Sequence, residues 1–171
     1  GDGVGFARHH RQRERGAETK SRPSVPVVRK NIVGSIRGEA SQKAIWCAVA
    51  TVANGEPRVR MVHPTWEGET LWFATGAGSP KVQQMQANPV VDIQYQVGPP
   101  TFTHILVRGT AEVVTDPSEK KRVWDVIDYD LSQFWSAGPE DPGYAPIRIT
   151  PTRIELSEMF GSANKRVYRA S

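Results

Sequence analysis

Hydrophobic and polar positions along this chain fall into short blocks, and the spacing within each block predicts the element it forms. Ile32, Val33, Ile36 and Ala40 recur at helical spacing and predict a short amphipathic helix. The apolar run from Ala44 to Ala53 is nearly continuous, as in a buried strand. Asn54-Gly55 follows, two residues that tolerate positive φ and so signal a tight hairpin. A second strand is expected over Arg58 to Thr65, a turn at Glu67-Gly68 and a third strand over Leu71 to Thr75.

Ser79-Pro80-Lys81 opens a helix, because serine caps well and proline suits the first helical position. That helix runs to about Ala87, where Asn88-Pro89 stops it. Val91, Ile93, Tyr95 and Val97 alternate with polar residues, the period of a half-solvated strand. Gly98-Pro99-Pro100 breaks the chain before a long strand over Thr103 to Val114. Asp116-Pro117-Ser118-Glu119 starts a second helix whose apolar side carries Val123, Trp124, Ile127 and Leu131. The segment 137–146 reads as loop, and Ile147 to Ile149 and Arg153 to Leu156 as closing strands. Strands joined by short hairpins, with helices at the margins, predict a mainly β antiparallel barrel with peripheral helices.

Composition narrows the class. With 171 residues, 38% hydrophobic and 23% charged, the chain suits one packed domain. No apolar run approaches the ~20 residues of a membrane helix, so a membrane is not an expected partner. The start lacks the apolar core of a secretory signal. Cys47 is the single cysteine, which excludes an intrachain disulfide and a multi-cysteine zinc site. A cytoplasmic setting is expected.

The net charge of +4 is uneven. Residues 1–30 hold eight basic and three acidic groups, leaving 14 basic and 15 acidic groups in the other 141. The basic surplus therefore belongs to an N-terminal extension over 1–30, read as a solvated tail rather than a nucleic-acid arm. A single domain is expected over 31–160, followed by a C-terminal tail over 161–171.

Candidate chemistry comes from folding the second strand onto the third. If Trp66 faces Glu69, antiparallel registration sets Val62 against Phe73 and Arg60 against Thr75. Gly76-Ala77-Gly78 then lets the backbone turn closely before Ser79 and Lys81 at the helix start. A guanidinium, an ammonium, two hydroxyls and a helix N-terminus would thus meet, and such an arrangement attracts a phosphate. His63 and His104 lack a third ligand at useful spacing, so no metal is expected. Cys47 reads as a buried small hydrophobe, and no Gly-x-Ser-x-Gly elbow supports a serine nucleophile.

The runs Pro57 to Val62, Leu71 to Thr75, Ser79 to Val82, Asn88 to Val91 and Val107 to Glu112 resemble the pyridoxamine 5′-phosphate oxidase-like FMN-binding split barrels. Trp124 followed by Gly138 to Tyr144 is closer to the general stress protein 26 branch. The resemblance implies a six-stranded split barrel, a homodimer with FMN at the subunit interface and an oxidoreductase acting on a small organic molecule. It places Arg60, Met61 and Val62 along the flavin, Phe73, Ala74 and Thr75 on the neighbouring strand, and Ser79 and Lys81 on the phosphate. His104 stands where the oxidases carry a glutamine facing the ring. The tryptophan and arginine motif for pyridoxamine has no counterpart, which points away from vitamin B6 oxidation. A deazaflavin in place of FMN, or a flavin- or haem-binding stress protein without turnover, are the alternatives.

Overall fold

The computed structural model describes residues 46–96, 100 and 102–170, so the helix expected over 32–40, the basic extension and the Gly98-Pro99 break lie outside the described residues. Among the described residues, eight strands form one antiparallel sheet. They are β1 (Cys47–Ala53), β2 (Glu56–Val62), β3 (Thr65–Glu67), β4 (Thr70–Gly76), β5 (Val90–Gln96), β6 (His104–Val113), β7 (Tyr144–Glu158) and β8 (Ala163–Arg169). The order is β2-β1-β5-β6-β7-β4-β3, with β8 also on β7. Helix α1 (Pro80–Ala87) joins β4 to β5, and α2 (Pro117–Val126) follows β6.

The Asn54-Gly55 hairpin forms as expected, with φ of 53° and 79° and Ala53 paired to Glu56. Two positive φ values match the right-handed twist of the flanking strands. The second expected strand, however, is broken at Pro64, which has no N–H to give to a ladder. Its first part, β2, pairs with β1; its last part, β3, pairs with β4. The expected pairings of Val62 with Phe73 and Arg60 with Thr75 are therefore not made. The β3–β4 register is also shifted: Trp66 faces Leu71, not Glu69. The turn residues are Gly68 and Glu69, because Gly68 supplies the positive φ of 57° needed at the first central position.

The two closing strands are one 15-residue strand, β7, which pairs with β6, β4 and β8. Pro151 is accommodated where the β6–β7 register shifts between Arg108 and Gly109. Gly109 is required there: a Cβ would stand 2.7 Å from the Thr150 carbonyl oxygen. Residues 163–169, expected within a tail, form β8 through backbone pairing along 153–158. Tyr168 is the residue of β8 that reaches the core.

The barrel core packs Val49, Leu71, Phe73, Ile93, Ile105, Val107, Ile147 and Ile154, all essentially inaccessible. A second cluster joins Trp72, Val123, Ile127, Leu131 and Tyr144 beneath α2. The α2 cap is as expected, Asp116 Oδ1 accepting from Glu119 N–H at 2.8 Å. The helix ends at Val126, and Leu131 belongs to a separate 3₁₀ turn. Among the described residues, no helix is long and apolar enough to cross a membrane.

Candidate functional site

Gly76 ends β4 just after Thr75, Ala77 and Gly78 turn the chain, and Ser79 is the residue that precedes α1. The turn is tied by Ser79 N–H to the Gly76 carbonyl at 2.9 Å and by Ala77 N–H to the Gly143 carbonyl at 2.8 Å. Ser79 has extended backbone angles, but its hydroxyl makes no capping bond. It lies instead 3.4 Å from Thr75 Oγ1. Lys81, one residue into the helix, donates from Nζ to that same Thr75 oxygen at 2.8 Å.

Arg60 arrives from β2 by a different route from the expected one. Its Nη1 donates to Thr51 Oγ1 on β1 at 2.5 Å and its Nη2 to Gln84 Oε1 on α1 at 2.7 Å. Thr51 Oγ1 in turn donates to the same Gln84 oxygen at 2.6 Å. The β1–β2 hairpin and α1 are thereby clamped, and the guanidinium is brought towards Lys81. Both side chains are half-buried. Desolvation, followed by the Arg60 charge, lowers the Lys81 pKa; desolvation, followed by Arg58, lowers that of Arg60. The hydrogen bonds of this pair go to neutral oxygens. Both cations thus sit at α1 with no acidic partner among the described residues, Lys81 at its start and Arg60 at Gln84.

Beside them opens a cavity of about 450 Å³. Met61, Val62, Ala74, Thr75 and Lys81 line one part of it. Trp46, His63, Tyr129, Phe134 and Trp135 line the rest, with Asp130 and Gln133. The cavity lies at the seam where the sheet does not close. Among the described residues β2 has β1 as its one strand partner, and β3 covers β4 no further than Trp72.

Of the residues expected at the site, Arg60, Met61, Val62, Ala74, Thr75, Ser79 and Lys81 are brought to this region. Phe73 points the other way, into the barrel core. His104 lies in a different hollow with Gln94, Phe102 and Phe160, its Nε2 2.6 Å from Gln94 Nε2. His63 stacks on Tyr129 at 4.3 Å, its Nε2 3.2 Å from Asp128 Oδ1. The two histidines thus sit in different surroundings, and no metal-binding cluster of His, Cys, Asp and Glu occurs among the described residues.

The sequence reading missed Thr51 and Gln84 as partners of Arg60, and it missed the aromatic wall. The signal for the wall was present: Tyr129, Phe134 and Trp135 crowd the seven residues 129–135.

Residues 39–158 match the family model described as pyridoxamine 5′-phosphate oxidase. General stress protein 26 of Bacillus subtilis (strain 168) is 25% identical over 111 residues, covering 64% of this chain and 76% of that protein. The crystal structure of General Stress Protein 26 from Bacillus anthracis str. Sterne superposes with a TM-score of 0.64 at 23% identity, over 84% of this chain and 98% of that one. A pyridoxamine 5′-phosphate oxidase-related, FMN-binding protein from Nostoc punctiforme gives 0.59 at 19% identity, over 82% and 89%. The shared architecture is the split barrel, here with eight strands among the described residues where six are expected. From the match over most of its length and this common fold, the chain belongs to the pyridoxamine 5′-phosphate oxidase family.

Proposed function

We propose that this chain binds FMN and works as a flavin-dependent oxidoreductase on a small organic substrate. One observation carries the reading: Lys81 at the start of α1 and Arg60 on Gln84 of the same helix are half-buried, close enough for the Arg60 charge to bear on Lys81, and hydrogen-bonded to neutral oxygens. Such a pair lacks negative charge, and a dianionic phosphate supplies it. Arg60, Ser79 and Lys81 would hold the phosphate; Met61, Val62, Ala74 and Thr75 would border the ring. A bound flavin supplies hydride chemistry, while these side chains bind, orient and desolvate it. The Nostoc punctiforme relative is described as FMN-binding, which supports the choice of cofactor.

The reading includes a homodimer with the flavin at the subunit interface. Val52, Val59, Met61 and Val90 are exposed on β1, β2 and β5, an apolar surface that a second copy would cover. In that assembly His104 serves a ring held by the other copy. A reduced lone Cys47 is consistent with the cytoplasm.

Absorption and mass spectra of the purified protein test the reading. Flavin bands with the mass of FMN are expected. The mass of a deazaflavin would replace the cofactor, and a colourless protein whose spectrum responds to haem alone would overturn the reading.

A further inference from the structure

The cavity beside the proposed phosphate site has walls of unlike chemistry. Thr75 and Lys81, hydrogen-bonded to each other, occupy one side. The opposite wall is a run of rings. Trp46 and His63 lie 5.6 Å apart between centroids, His63 and Tyr129 4.3 Å, Tyr129 and Phe134 6.3 Å, and Phe134 and Trp135 5.7 Å. Phe134 is 66% exposed and Trp46 54%, so these two rings are open to solvent, while Tyr129 and Trp135 pack partly against the cluster beneath α2.

Carboxylates bring negative charge to this wall. Asp130 lines it, and its carboxylate is held ionised: Oδ1 accepts from Ser132 N–H at 3.0 Å and from Ser132 Oγ at 2.6 Å. Asp128 lies directly behind His63. The one Lys or Arg among the described lining residues is Lys81, across the cavity. Pocket walls of exposed aromatic faces stack planar rings, and a cation gains further from the ring quadrupoles and the carboxylates. An anion gains nothing there and meets like charge.

We propose that the wall of Trp46, His63, Tyr129 and Phe134 is the substrate subsite, and that the substrate is a planar aromatic or N-heteroaromatic molecule bearing no negative charge on the part that enters. The inference rests on the flavin reading for its catalytic meaning, but the ring binding itself requires no flavin. It separates this chain from enzymes of phosphorylated pyridines, since Lys81 and Arg60 are already committed to the cofactor's phosphate.

Calorimetric titration of the full chain with quinoline, N-methylquinolinium and a quinoline carboxylate tests it, because one ring then carries zero, positive and negative charge. The cation is expected to bind at least as tightly as neutral quinoline, and the carboxylate about tenfold more weakly or worse. Phe134→Ala and Trp46→Ala should each weaken quinoline about tenfold, the scale of one aromatic stacking contact. Phe134 is exposed enough for its variant to fold. Asp130→Asn should remove the preference for the cation. Equal affinity for the carboxylate, or unchanged quinoline affinity in both alanine variants, overturns the proposal. FMN titration of the same preparations keeps the two readings apart. FMN binding without ring binding sinks the subsite alone, whereas ring binding without FMN sinks the cofactor reading alone.

Discussion

Lys81 Nζ donates to Thr75 Oγ1 at 2.8 Å while the Arg60 charge and burial hold its pKa below that of an ordinary lysine. Because the folded pKa lies below the unfolded one, the unfolded chain binds more protons between the two values. Stability of the ligand-free protein therefore rises with pH across that alkaline window, while phosphate affinity falls as Lys81 loses its proton.

Lys81→Ala should weaken FMN binding about 10- to 100-fold, the scale of one charge-assisted hydrogen bond. Fluorescence titration measures this. Lys81→Met, keeping the apolar stem, should in addition raise the melting temperature of the ligand-free protein. Unchanged FMN affinity with a lowered melting temperature would instead assign Lys81 a purely structural part.

Gly109→Ala should destabilise the fold by about 1–3 kcal/mol, the usual range for forcing extra volume into a packed interior. The added Cβ would meet the Thr150 carbonyl oxygen at 2.7 Å and Ile149 Cγ2 at 2.8 Å, and backbone cannot swing aside. Urea denaturation of the two proteins gives the difference directly.

Glu119 is gripped by Arg122 and Arg148, hydrogen bonds that lower its pKa to about 2. Its folded pKa thus lies below the unfolded one, so its contribution is complete above the unfolded value near ~4.3 and is lost as pH falls towards 2. Glu119→Gln should flatten the acid limb of the melting temperature against pH in that window. A limb of unchanged slope would mean that other carboxylates carry the acid sensitivity.

Much of this architecture was legible because single residues dictate it. Asn54-Gly55 can hardly be anything but a tight hairpin, and Asp116-Pro117 with Glu119 writes out its own helix cap. The expected route of Arg60 to this region was a strand pairing that does not exist; it is tied instead to Thr51 and Gln84. Register depends on which residues occupy a turn, and one residue of error at Gly68 moves every partner along β4. Strand β8 was invisible for another reason: Lys165, Arg166 and Arg169 obscure any alternation, and its backbone bonds to β7 impose the extended form. Phe73 illustrates the limit of motif transfer, since the barrel core claims its side chain while Ala74 and Thr75 beside it line the cavity.

Pro64 marks more than an interrupted ladder. It sits where the chain leaves β1 after Val62 and joins β4 at Thr65, and among the described residues β2 and β3 are the two ends of the sheet order. A cylinder sealed along that line would be sturdier, yet it would have no doorway. Among the described residues that seam has no row of backbone bonds, and the cavity lies beside it, where the proposed cofactor would enter. One imino acid thus marks the place where an inert scaffold would differ from a vessel.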